Sequence, residues 1–186
     1  PPNTTLVDGI PVTTLARTTA DLMRRNYFGP ALALADAALR LGAPRGELLR
    51  EVTGGRGCRH STEAVRWADP RSESPYESLV RAQILQGGVP MPELQVALYD
   101  EDGFVGRPDF LWRRYGVVGE FDGETKYTTF LLPGETREDV MARQEIRQAR
   151  MQRMGLRFVR WGKDAVHDPC EVTASIRALI GDVVVD

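Results

Sequence analysis

Val105-Gly106-Arg107-Pro108-Asp109-Phe110-Leu111-Trp112, Arg113-Arg114-Tyr115-Gly116 and Val117-Val118-Gly119-Glu120-Phe121-Asp122-Gly123 run on without a gap, and their pattern decides the fold. Two runs rich in valine, phenylalanine and tryptophan flank a short turn, so they read as neighbouring antiparallel strands, Val105–Trp112 and Val117–Phe121. Leu94–Tyr99, turned by Asp100-Glu101-Asp102-Gly103, adds a strand ahead of them and completes an antiparallel meander.

Working outward, Ser74 is placed to cap a helix that Pro75 opens and that runs to Gln86, before Gly87-Gly88. Beyond the meander, about Arg137 to Met154 reads as a helix ended by Gly155, Leu156–Trp161 as a fourth strand and Glu171–Ile180 as a closing helix. The order αβββαβα predicts an α/β fold with a mixed sheet. The turn-rich Asp69-Pro70-Arg71-Ser72-Glu73-Ser74-Pro75 sets the boundary of this domain, residues 70–186. Residues 1–69 read as a small, mostly helical region that opens with a hairpin at Asp8-Gly9. Its first helix is capped by Thr13 or Thr14, with Leu15, Leu22 and Met23 as the apolar stripe. Further helices are expected over about Pro30 to Leu41, Pro44 to Val52 and Ser61 to Ala68.

The 186 residues suffice for a real core, and 42% hydrophobic with 27% charged residues is an ordinary globular composition. Apolar runs are too short to span a bilayer and no secretory signal is recognisable, which predicts a cytoplasmic protein and no membrane partner. The chain begins Pro1-Pro2, from which a preceding domain is expected. Cys58 and Cys170 have no second Cys or His at ligand spacing, so neither zinc nor a disulfide framework is indicated. His60 and His167 have no acid or cysteine at catalytic spacing, and serine-hydrolase, P-loop and dinucleotide fingerprints are absent. A net charge of −2 argues against a protein that coats nucleic acid, although acids gathered for a metal lower the charge without repelling a phosphate once the ion is bound.

Strand alternation turns Glu120 and Asp122 to one face, and Asp109 on the neighbouring strand reaches that face near its end. Carboxylates so placed repel unless a cation neutralises them, and hard oxygen donors suit Mg²⁺ or Mn²⁺. Such an ion polarises a phosphoryl oxygen, and Lys126 is placed to stabilise the charge that develops. Lys126 is conspicuous because lysine occurs only there and at Lys163, against 22 arginines among 24 basic residues. The bland alternatives stay open. Asp122-Gly123 is also a turn signal, Asp109 can pair with Arg107 or Arg113, and Lys126 can be a solvated surface residue. Glu77 either closes a capping box with Ser74 or serves at the rim of the carboxylate cluster as a ligand or water-positioning group. Arg143, Arg147 and Arg150 share one helical face, which is either solvated or turned to a phosphate backbone.

Ser72-Glu73-Ser74-Pro75-Tyr76-Glu77, Pro92-Glu93-Leu94-Gln95, Gly106 to Trp112, Gly119 to Tyr127 and Gly155 to Trp161 together resemble a DUF559-type domain of the PD-(D/E)XK nuclease superfamily, similar to very-short-patch repair endonucleases. The resemblance covers about residues 72–166 and implies a restriction-endonuclease-like core, DNA as substrate and a metal-dependent phosphodiesterase. By it Asp109 and Glu120 are the first and second acids and metal ligands. Asp122 stands where the superfamily often has lysine, so a catalytic lysine is either moved to Lys126 or lost. Arg107, Arg143, Arg147 and Arg150 are the expected DNA contacts. Gln144-Glu145 departs from the Glu-Lys pair expected in the helix after the meander. Residues 5–50 resemble the segment preceding this domain in actinobacterial AbiEi-like type IV antitoxins, where a winged helix-turn-helix stands further upstream. That implies a competing role: a non-catalytic transcriptional regulator with a cognate toxin, binding its own promoter through the missing domain.

Overall fold

The computed structural model describes residues 3–54, 58–122 and 136–181, and the chain divides into two compact units, Pro1–Ala82 and Gln83–Asp186. In the first unit, β1 (Thr4–Val7) and β2 (Ile10–Thr13) form an antiparallel hairpin. Asp8 and Gly9 both have positive φ, 50° and 79°, as a two-residue hairpin turn of matching twist requires. Four helices follow: α1 (Leu15–Met23), α2 (Phe28–Arg40), α3 (Arg45–Val52) and α4 (Cys58–Trp67). Thr14 rather than Thr13 is the cap of α1, its hydroxyl accepting from the Arg17 N–H at 3.2 Å. The buried face of α1 is Ala16, Thr19, Ala20 and Met23, while Leu15 and Leu22 are exposed. The expected stripe was thus offset, because small residues let α2 and α3 approach the helix closely on the alanine side.

α5 (Pro75–Gln86) starts as expected, with Ser74 Oγ accepting from the Glu77 N–H at 3.2 Å. The division between the units falls inside this helix rather than at residue 69, for a reason visible in its side chains. Arg81 belongs to the first unit: it donates at 2.6 Å to both oxygens of the fully buried Asp36 on α2, and at 2.7 Å to the Trp67 carbonyl. Asp36 also accepts from the Asp69 N–H at 2.7 Å. Gln83 belongs to the second unit, its amide donating to the carbonyls of Ala165 and Val166.

The second unit is a mixed α/β structure. Its four-stranded sheet has the order β3 (Glu93–Leu94), β6 (Phe110–Trp112), β7 (Val117–Phe121), β8 (Arg157–Trp161). The first two pairings are antiparallel, and β7 with β8 is parallel across a connection that contains α6 (Arg137–Arg153). β4 (Leu98–Asp100) and β5 (Gly103–Gly106) pair separately. The two long strands expected from the sequence are therefore each broken. Their register survives the break: Glu93 faces Leu111 and Leu94 faces Phe110, and counting on in step brings Leu98 to Gly106, which is the pair observed. One ribbon is interrupted at residues 95–97 and 107–109. Gln95 adopts a left-handed φ of 53° and Pro108 lacks an N–H, and the regular ladder gives way there after one further bond, from the Gln95 N–H to the Asp109 carbonyl.

The central strand β7 is buried along its whole length. One face carries Val118, which packs with Leu98, Val105, Leu111 and Met151 of α6. On the other, Gly119 leaves room for two indoles: a Cβ there would stand 2.7 Å from Trp161 and 3.1 Å from Trp112. Trp161 donates to Ser175 Oγ of α7 (Pro169–Ile180) at 2.9 Å and meets Phe110 edge-on at 5.9 Å. Among the described residues no helix is long and apolar enough to cross a membrane.

Candidate functional site

Asp109 and Glu120 are the next residues along β6 and β7 beyond the pair Phe110–Gly119, so the ladder brings them to the same end of two central strands. Asp109 lies in the interruption of the ribbon. Its Oδ1 accepts from Gln95 Nε2 at 3.1 Å and its Oδ2 from the Phe121 N–H at 2.8 Å, while its carbonyl accepts from the Gln95 N–H. This short side chain thus bridges Gln95, just past β3, and Phe121 of β7. Neither Arg107 nor Arg113 supplies these two bonds; Arg113 pairs with Glu93 at 2.8 Å. Arg107 itself is exposed.

Glu120 points to the α6 face of the sheet and is nearly buried. Arg147 of α6 donates to its Oε1, and Arg160 of β8 approaches its Oε2 at 3.4 Å through Nε and Nη2. Arg160 sits beside Glu120 because β7 and β8 are parallel with these two residues in register. It is also held by Gln148 Oε1 at 2.9 Å and lies over the Phe158 ring at 5.5 Å. Arg147 gets close to β7 because its stem runs past Gly106. Asp122, half-buried, extends the parallel ladder with its N–H on the Trp161 carbonyl at 2.8 Å. Glu120, Phe121, Asp122, Gln144, Arg147 and Arg160 line a concavity of about 30 Å³. A wider one, about 230 Å³, shares Gln144 and Arg160 with it and adds Met141, Glu145 and Gln148.

The structure thus brings Asp109 and Glu120 to one end of the sheet, sets Arg147 on Glu120 and places Asp122 in the lining of the same concavity. Lys126 lies outside the described residues. The arginine stripe does not face solvent as a unit: Arg147 takes Glu120, and Arg150 takes Asp100, with further bonds to the carbonyls of Gly103 and Phe104. Arg150 holds the Asp100 carboxyl below the usual carboxylate range, chiefly through this hydrogen bond. Arg143 is exposed and lowers the pKa of Asp139, after the larger hydrogen bonds from Thr136. Glu77 is in the first unit, where its Oε2 accepts from the Glu73 N–H at 2.8 Å, one residue earlier than the cap N–H of a standard capping box. Arg160, Gln148 and Gln95 were not singled out from the sequence as site residues. Arg160 was detectable through the strand pairing of Glu120, whereas the Gln95 contact depends on the break in the ribbon.

The donor set around the two acids is hard oxygen, of the kind Mg²⁺ or Mn²⁺ takes. The two guanidinium groups on Glu120 would compete with any ion it receives. Among the described residues no group of three His, Cys, Asp or Glu side chains is gathered as a metal site.

No family model matches the chain, and no solved structure matches it. It is 32% identical over 157 residues to the uncharacterised Mycobacterium tuberculosis proteins MT2308, of strain CDC 1551, and Rv2248, of strain H37Rv. The match takes in 82% of this chain and 55% of each relative, so the chain spans about half the length of the curated relatives it matches.

Proposed function

We propose that residues 83–186 form a restriction-endonuclease-like domain that hydrolyses phosphodiester bonds in DNA with Mg²⁺ or Mn²⁺, in the cytoplasm. The observation that carries this is the convergence of Asp109 and Glu120 at the ends of two adjacent central strands, beside a cleft that also holds Asp122 and two arginines. Asp109 and Glu120 would hold the ion, with Asp122 supporting; bound there, it would polarise a phosphoryl oxygen and lower the pKa of a water. Gln95 and the Phe121 N–H fix the rotamer of Asp109, so one acid is preorganised. Arg147 and Arg160 supply positive charge within reach of the scissile phosphate. Incubating the protein with supercoiled and linear DNA, with Mn²⁺ and then with EDTA, tests the proposal. Cleavage that needs Mn²⁺ and is lost in Asp109→Ala and Glu120→Ala is the expected result; cleavage that survives both substitutions contradicts it.

One observation favours a second role, a nuclease fold kept as a docking module in an antitoxin-like regulator: both Glu120 oxygens already face guanidinium groups. A carboxylate so neutralised is a sound structural element without any metal. In that case the chain shifts DNA from its own promoter in EDTA and leaves it uncut in Mn²⁺. Mn²⁺-dependent cleavage of that DNA would remove the regulator reading.

A further inference from the structure

We infer that Arg147 and Arg160 form a preorganised receptor for one phosphodiester group, which the Glu120 carboxylate fills until nucleic acid displaces it. The identity of the anion rests on the function proposed above, but the receptor itself rests on geometry. Two guanidinium groups, one from α6 and one from β8, approach opposite oxygens of one carboxylate. Planar donor forks arranged around a two-oxygen anion suit a phosphate as well as a carboxylate.

Both arginines also have contacts that do not involve Glu120, through the guanidinium in Arg160 and through the aliphatic stem in Arg147. Arg160 donates to Gln148 Oε1 at 2.9 Å and lies over the Phe158 ring. The Arg147 stem is packed against Gly106 and Met151, where a Cβ on residue 106 would stand 2.8 Å from Arg147 Cδ. Arg160 therefore keeps its place when Glu120 turns away, and less side-chain entropy is lost on taking an anion. Asp122 lines the same concavity, so the two arginines balance two carboxylates; one positive charge is left in excess once Glu120 turns away, and that charge attracts a phosphodiester. Access is provided by the wider concavity, which opens on Arg160 past Met141, Gln144 and Gln148. Glu120 acts here as a gate: released by the incoming phosphate, it becomes available to a cation, so nucleic acid and metal assist each other's binding.

The test uses the whole chain and a fluorescent oligothymidylate in EDTA, followed by anisotropy, with Mn²⁺ calorimetry in parallel. Glu120→Gln removes the competing charge and is expected to bind the oligonucleotide about fivefold more tightly than wild type, a gain that matches one partly exposed ion pair. Arg160→Ala is expected to weaken oligonucleotide binding by a similar factor and to strengthen Mn²⁺ binding. Arg160→Lys keeps the charge but not the fork, and should recover only part of the oligonucleotide affinity. Circular dichroism confirms that each variant is folded. An oligonucleotide affinity unchanged or weakened in Glu120→Gln overturns the receptor, even where wild type binds Mn²⁺ and Glu120→Gln does not. The converse pattern, tighter oligonucleotide binding with no Mn²⁺ binding in any variant, leaves the receptor standing and removes the metal-dependent function.

Discussion

Arg147 occupies the space that a side chain at Gly106 would fill: a Cβ there would stand 2.8 Å from Arg147 Cδ and 3.2 Å from its Cγ. The other obstructing atom, Met151 Cε at 2.9 Å, is the end of a buried side chain, whereas the Arg147 atoms lie in the middle of a stem whose head is held by Glu120. Gly106→Ala should therefore cost about 1–3 kcal/mol, the usual range for an added methyl in a packed site, and move Arg147 off Glu120. Urea unfolding and oligonucleotide anisotropy on the same variant check this. A large stability loss with unchanged binding would show that Gly106 serves packing alone.

Gly119 presents the opposite case. Its would-be Cβ meets the Trp161 ring at 2.7 Å, and that ring is fixed by the Ser175 hydroxyl and the edge of Phe110. With no flexible atom to give way, Gly119→Ala is expected to destabilise the second unit by about 3 kcal/mol. Urea denaturation followed by tryptophan fluorescence reads the loss, and a change below about 1 kcal/mol would mean that the indoles have room to slide.

How far the sequence could be read depended on the range of the interaction. Thr14, Ser74 and Pro75 act on backbone groups within three residues, and the helix starts they announce are where the structure has them. Strand register was also legible, since a two-residue period leaves few choices for Asp109 and Glu120. The break at Pro108 was written in the sequence but competed with an unbroken β pattern on either side. What could not be read were the partners of the arginines. Nothing local ties Arg147 to Glu120, 27 residues earlier, or Arg150 to Asp100, 50 residues earlier. A stripe at helical spacing looks the same whether it meets water, phosphate or a buried acid. The division inside α5 was hidden for the same reason, because it depends on where Arg81 and Gln83 find their partners.

Asp36 and Arg81 form a buried pair whose loss should be felt throughout the first unit. Burial pushes the Asp36 carboxyl up, against the pull of Arg81, so the arginine is what keeps the charge tolerable. Asp36→Ala leaves Arg81 buried without its counter-ion and is expected to cost about 3–5 kcal/mol. The double variant Asp36→Leu with Arg81→Met should recover much of that loss. Both follow from urea midpoints; a single variant within about 1 kcal/mol of wild type would deny the pair its role.

Asp100 gives the stability a defined pH dependence. Its pKa is lowered in the folded protein by the hydrogen bond from Arg150, which fastens α6 to the β4–β5 hairpin. A lowered carboxylate pKa means the unfolded chain binds the proton more readily, so this contribution is whole above about pH 5 and is lost as pH falls through the carboxylate range. Asp100→Asn should be less stable than wild type at pH 7, and the two proteins should converge towards pH 3. Thermal melts across that range would contradict the account if the gap stayed constant.

Plasmid nicking reads out whether Asp109 and Glu120 act together on a phosphodiester bond. Supercoiled DNA is incubated with wild type, Asp109→Asn and Glu120→Gln in Mn²⁺, each shown to be folded by circular dichroism. The account predicts nicking by wild type that EDTA abolishes, and none by either variant. Intact plasmid with wild type under these conditions, or nicking that persists in both variants, would contradict it.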